Sequence, residues 1–149
     1  MPTFESSVEI DAPVEVAFGF HEREDALVKL TPSFPPVRLV SKSGPGIDVG
    51  TRVELSVTPF RWIALHTAHE KNRLFVDEQV EGPFSEWVHR HEFEDLGDRT
   101  RLTDRVRFRL PGGDLINRLL GWAVRVGLQR MFAHRHAVTK RACEQPSAS

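Results

Sequence analysis

Residues 100–115 read "TRLTDRVRFRLPGGDL", and the fold turns on them. From Thr100 to Leu110 two kinds of side chain alternate. Leu102, Asp104, Val106, Phe108 and Leu110 share one side, and Arg101, Thr103, Arg105, Arg107 and Arg109 share the other. Side chains of a strand point to opposite faces in turn, so this pattern predicts a half-buried strand with an apolar wall and a basic, solvated wall. Pro111-Gly112-Gly113 then breaks the period. From Asp114, the expected N-cap, an unbroken helical pattern runs to about Ala142. Such a helix spans roughly 40 Å, enough to lie across a whole sheet. Leu115, Leu119, Trp122 and Val126, with Ile116, Leu120, Ala123 and Met131, give it a broad apolar band.

Upstream, the strand period repeats. "VRLVSK", "TRVELSVTP", "RWIALHTAHE", "LFVDEQVE" and "SEWVHRHEFE" precede "TRLTDRVRFRL", separated by short segments such as "KNR", "GP" and "LGD". Links this short imply an antiparallel meander, because parallel neighbours need a longer crossover. The chain opens with a further strand, "TFESSVEI", which puts Phe4, Val8 and Ile10 on one side. "DAPVEVAFGFHE" predicts a short helix with Asp11 as N-cap, Pro13 in the first turn and Val14, Ala17 and Phe18 as its buried stripe. "REDALVKLTP" predicts a second short helix that stops before Pro32. The expected class is α+β: a curved antiparallel sheet of about seven strands wrapped around a long C-terminal helix, with two short helices after the first strand. One domain is expected over residues 1–142, with 143–149 as a disordered tail.

Bulk properties narrow the function. A chain of 149 residues with 40% hydrophobic and 28% charged residues suits one soluble domain with a proper core. The formal net charge is −1 with both signs interspersed, which removes the electrostatic footprint of a nucleic-acid binder. Cys143 is the single cysteine, so no internal disulfide can form, a reducing cytosol is the default compartment, and the thiol reads as inert. "MPTFESSVEI" lacks the features of a signal peptide, and no stretch approaches the roughly 18–20 apolar residues that span a bilayer. A cytoplasmic protein without integral membrane association is expected.

"WVHRHEF", residues 87–93, raises the functional question. On a strand, Trp87, His89, His91 and Phe93 point one way, and two imidazoles between aromatic walls call for polar partners. Asp104 supplies one. It is a carboxylate on an otherwise apolar wall in the next strand, costly to bury alone and naturally paired with histidine.

The element order, with "FVDEQVEGPFSEWVHRHEFE" and "TRLTDRVRFRLPGGDL", resembles the START-like superfamily, also called SRPBCC or helix-grip proteins, and within it a bacterial polyketide cyclase/dehydrase-like branch. The pattern comprises Phe75, Asp77, Gly82, Phe84, an aromatic at Trp87, His89, His91 and Phe93, then Thr100, Asp104 and Pro111-Gly112. The resemblance implies an apolar or aromatic small molecule held between sheet and helix. Some members are cyclases or dehydratases, some carry lipids or quinones, and some activate a chaperone. His66 departs from the pattern, standing where relatives tend to have an aliphatic residue.

The register of "LFVDEQVE" stays open in the sequence. A two-residue "GP" loop pairs Val76 with His89 and turns Glu78 inward. A three-residue loop or a bulge pairs Asp77 with His89 and turns Asp77 and Gln79 inward. Apolar counting favours Leu74, Val76 and Val80 as the inner set, and the resemblance favours Phe75 and Asp77.

Four functional readings follow. The first is a module binding a hydrophobic small molecule, lipid, quinone or polyketide-like, with Trp62, Phe75, Trp87, Phe93, Phe108 and Trp122 as wall and His66, Asp77, Gln79, His89, His91 and Asp104 as polar groups. The second is a cofactor-free cyclase or dehydratase in which His89 or His91, oriented by Asp104 or Asp77, moves a proton. In the third, His-x-His aims two imidazoles the same way, and Asp77 or His66 would complete a metal site. No ligand spacing announces one, so no metal is expected. The fourth is a protein–protein module using the arginine-rich outer strand. His21, His69, His134 and His136 read as surface or boundary residues. His134 and His136 lie about 200° apart on a helix, so at most one of them faces inward. Phe132 and Arg135 are expected to help close one end.

Overall fold

Six strands in succession pair through short polar links, as their spacing requires, and the first strand closes the sheet from the far end. The computed structural model describes residues 3–23, 37–43, 47–57 and 60–144. In order these form β1 (Thr3–Ile10), α1 (Val14–Glu22), β2 (Val37–Lys42), β3 (Arg52–Val57), β4 (Phe60–Glu70), β5 (Leu74–Glu81), β6 (Glu86–Asp95), β7 (Thr100–Arg109) and α2 (Gly113–Glu144). The sheet order is β1-β7-β6-β5-β4-β3-β2, antiparallel throughout. Phe4 pairs with Val106 and Val8 with Leu102, so β1 adds its apolar side to the wall read from β7. The second short helix expected over "REDALVKLTP" lies outside the described residues beyond Arg23.

On the outer face of the sheet, arginines meet carboxylates across the strands. Arg105 bonds Glu5 and Glu92, Arg101 bonds Glu94, and Arg107 lies 3.0 Å from Glu86. The basic stripe of β7 is therefore charge-paired, which weakens its reading as a partner-binding surface.

Three local expectations are corrected. Asp11 does not cap α1. Pro13 occupies the N-cap with φ −63° and ψ 156°, its carbonyl accepts from Val16 and Ala17, and the Asp11 N–H goes to Glu144 at 2.7 Å. Helix α2 begins at Gly113 rather than being capped by Asp114. Gly112 at φ +108° and Gly113 at φ +86° make the turn, and Asn117 brackets it with 2.8 Å bonds to the Leu110 N–H and carbonyl. The helix also continues past Ala142 to Glu144, with Cys143 against the core.

The inward face of α2 is the largest correction. Leu115, Leu119, Trp122 and Val126 point to solvent, with Trp122 67% exposed. The buried stripe is Gly121, Leu128, Phe132, His136 and Thr139. Both stripes recur at helical spacing, but the outward one is richer in apolar residues and the inward one carries two polar side chains. Counting apolar residues therefore selects the wrong face.

Two apolar clusters make the core. One joins Ile10, Val14, Phe18, Phe75, Phe93 and Leu102; the other joins Phe4, Trp87, Val106, Phe108, Leu128 and Phe132. Along β6 the sequence of inward residues is Trp87, His89, His91, Phe93, and along β7 it is Phe108, Val106, Asp104, Leu102. The polar residues thus sit between the clusters. No helix among the described residues is long and apolar enough to cross a membrane.

Candidate functional site

The site is built on the middle of β5, β6 and β7 and closed by α2. The β5–β6 ladder pairs Asp77 with His89 and Phe75 with His91, and the β6–β7 ladder pairs His91 with Asp104. This is the register of the longer loop, so Asp77 faces inward with the imidazoles and Glu78 pairs with Val88 on the opposite face. Gln79 helps fix it. Its amide donates to the Phe84 carbonyl at 2.6 Å and accepts from the Phe84 N–H at 3.1 Å, and a Cβ at Gly82 would collide with that amide. Gln79, expected in the wall, therefore uses its polar ends on the turn.

Asp104 is the hub. Its Oδ1 accepts from His89 Nε2 at 2.8 Å and lies 3.1 Å from His91 Nδ1, and its Oδ2 accepts from His136 Nε2 at 2.6 Å. His91 Nε2 donates to Asp77 Oδ2 at 2.9 Å. Both ring nitrogens of His91 therefore face carboxylates, and only an imidazolium can give a proton to each. His89 donates through Nε2, which leaves Nδ1 with its lone pair 4.0 Å from Asp77 Oδ2. The two rings stack at 3.6 Å, and His91 stacks on Phe75 at 3.8 Å.

The electrostatics follow from this wiring. Burial raises the Asp104 pKa, but the hydrogen bonds from His136, His89 and His91 outweigh it and hold the carboxyl well below its usual range. Asp77 is held down in the same way, against burial, by the His91 bond and the neighbouring histidines. Burial lowers the His91 pKa, yet its bonds to Asp104 and Asp77 prevail and the net direction is upward. His89 has burial and the adjacent His91 charge against it and is lowered to about 4. Arg135 adds a cation nearby; burial pulls its pKa down, while Asp104 and Asp77 pull it up.

The remaining expected residues fall into three groups. Trp62 and Trp87 meet edge to face at 5.0 Å, with Phe84 4.9 Å from Trp87 and Phe108 behind it. His66, Phe75 and Phe93 belong to the other end: His66 stacks parallel to Phe75 at 6.0 Å, bonds the Ile47 carbonyl at 3.2 Å, and is lowered in pKa chiefly by burial. Trp122 lies outside on the exposed side of α2. Two histidines read as surface or boundary residues are in fact buried, His136 on the hub and His21 with its ring 6.4 Å from that of His91. The i, i+4 spacing of Phe132 and His136 is the signal that finds His136 once Phe132 is known to face the sheet.

Comparison with known proteins agrees with this architecture. Residues 10–134 match the family model described as "Polyketide cyclase / dehydrase and lipid transport". The chain belongs to that family, and its fold is the helix-grip fold that START-like proteins share. No curated protein matches its sequence. Among solved structures, it is similar to a nucleoside-diphosphate sugar epimerase from Corynebacterium glutamicum, at 24% identity and TM-score 0.74 over 93% of this chain, which spans only 28% of that protein's length. The Zhui aromatase/cyclase from a Streptomyces species matches with 13% identity and TM-score 0.72, covering 96% of this chain and 93% of that one. Norcoclaurine synthase from Thalictrum flavum, in complex with dopamine and hydroxybenzaldehyde, matches with 15% identity and TM-score 0.72 over 98% and 88%. These likenesses establish the shared fold.

Proposed function

We propose that the protein binds a hydrophobic or aromatic small molecule in a cavity between the sheet and α2, with the Asp77–His91–Asp104–His89 row orienting a polar group of that molecule. One observation carries the reading. Trp62 and Phe84 form an aromatic corner with Trp87 that is left only partly buried, one strand step from the polar row. Helix α2 runs along β1 and α1, where Phe132 stacks on Phe4 at 5.6 Å. An apolar wall with a few fixed polar groups is what a small-molecule site requires. The family description, which includes lipid transport, and a neighbour in complex with two aromatic molecules support it.

Native mass spectrometry of the purified protein tests the reading by asking for a co-purifying organic molecule. Titration with phenols, quinones and fatty acids, followed by quenching of tryptophan fluorescence, is the second arm. Saturable quenching that weakens in Trp62→Leu is expected. A folded protein that carries nothing and shows no saturable response to any of the three classes would sink it.

A cyclase or dehydratase activity is the second reading, favoured by the fixed tautomer of His89, which presents Nδ1 as a base while Asp104 holds Nε2–H. Loss of turnover with retained binding in His89→Gln separates it from simple carriage. The location best matching the lone Cys143 is a reducing cytosol.

A further inference from the structure

We propose that Asp77, His89 and His91 form a binding site for one divalent transition-metal ion, Zn²⁺ being the best match, through Asp77 Oδ2, His89 Nδ1 and His91 Nε2. The three residues offer ligand atoms that all lie within 4.8 Å of one another. His91 Nε2 is 2.9 Å and His89 Nδ1 4.0 Å from Asp77 Oδ2. Ligands about 2.0–2.2 Å from a tetrahedral Zn²⁺ stand roughly 3.3–3.6 Å apart, so seating the ion asks the Asp77–His91 pair to open and the Asp77–His89 pair to close by about half an ångström each.

The surroundings give the independent argument. A metal-binding imidazole presents one nitrogen to the ion and gives its other N–H to a carboxylate or carbonyl, which fixes tautomer and ring direction. Here both imidazoles have that arrangement from the same group. His89 Nε2 and His91 Nδ1 both lie on Asp104 Oδ1, at 2.8 and 3.1 Å, which leaves His89 Nδ1 and His91 Nε2 on the Asp77 side. Asp104 is in turn held by His136 from α2 at 2.6 Å. A buried ion pair made only for stability has no need of two imidazoles aligned on one carboxylate with their other nitrogens toward a second.

A divalent ion would take the place of the proton between His91 Nε2 and Asp77 Oδ2, and that proton would leave to solvent. Two nitrogens and one carboxylate oxygen suit Zn²⁺, Co²⁺ or Fe²⁺ better than Ca²⁺ or Mg²⁺, and three protein ligands leave room for water or an oxygen of a bound molecule. The inference stands apart from the small-molecule reading, because the site is complete without an organic ligand.

The test uses the full chain, stripped with a chelator and free of organic ligand. Zn²⁺ is titrated by calorimetry and Co²⁺ by its visible absorption. One ion per chain is expected, with affinity lowered more than about 100-fold in Asp77→Asn, about 10–100-fold in Asp104→Asn, and unchanged in His134→Ala. Absence of Zn²⁺ heat and Co²⁺ bands in folded wild-type protein overturns the proposal, as does an Asp77→Asn variant that binds like wild type. Should that variant fail to fold, ring-nitrogen NMR of the wild type decides. Zn²⁺ must shift His89 Nδ1 and His91 Nε2, and a spectrum in which neither moves overturns it. Failure here leaves the small-molecule reading intact, since quenching by an organic ligand is measured separately.

Discussion

Asp77 stands directly across from His89 in the β5–β6 ladder, and its carboxylate bonds instead to His91, one inward position further along the strand. That diagonal contact links β5 to β6, and Asp104 then links β6 to β7 and to α2. Three strands and the long helix are joined through two carboxylates.

Asp104 is the group whose loss costs most. Asp104→Ala leaves His89 and His136 without their acceptor, and His91 with only Asp77, inside the protein. Removing one partner from a buried ionic network typically costs about 3–5 kcal/mol. Denaturant unfolding in metal-free buffer is expected to show a loss of that order, with the conservative Asp104→Asn losing less.

Phe132 and Trp122 lie on the same helix and are predicted to behave oppositely. Phe132 is 1% exposed and stacks on Phe4, whereas Trp122 is 67% exposed. Phe132→Ala is expected to cost about 3–5 kcal/mol by opening a cavity, and Trp122→Ala to stay within about 0.5 kcal/mol. Equal effects in chemical melts would place the wrong face of α2 against the sheet.

His21 predicts a pH response. Burial, opposed by its bond to the Ala17 carbonyl, lowers its pKa to about 4. A histidine with a depressed folded pKa stays neutral in the native state while the unfolded chain takes up a proton below about 6.5. Its contribution to stability is therefore full above that value and is lost as pH falls toward 4, by at most about 1.4 kcal/mol per pH unit. In chelator-treated protein, His21→Leu should reduce the slope of stability against pH between about 6 and 4.5. An unchanged slope would show that His21 is not buried in its neutral form.

Gly112 is held at φ +108°, and a Cβ there would lie 2.9 Å from the Ile116 side chain. Gly112→Ala is expected to destabilise the start of α2 by about 1–3 kcal/mol, measured as a lowered melting temperature, whereas Gly127→Ala meets nothing within 4 Å and is expected to be neutral or better.

The strands and the polar wall of β7 were legible in the sequence because a period of two is short, strong and independent of what lies above the sheet. Leu102, Asp104, Val106 and Phe108 can share only one face, and they do. The link between β5 and β6 was open by one residue, and one residue inverts every side chain. Tertiary structure decided in favour of Asp77, through the Gln79 clasp on Phe84. The pairing of β1 with β7 joins residues about a hundred positions apart, beyond any local period. Helix α2 carries two stripes of equal spacing, and its own periodicity cannot choose between them. Packing on Phe4 and β1 turned Phe132 and His136 inward, and so brought to Asp104 a histidine whose role no local pattern in the sequence announces.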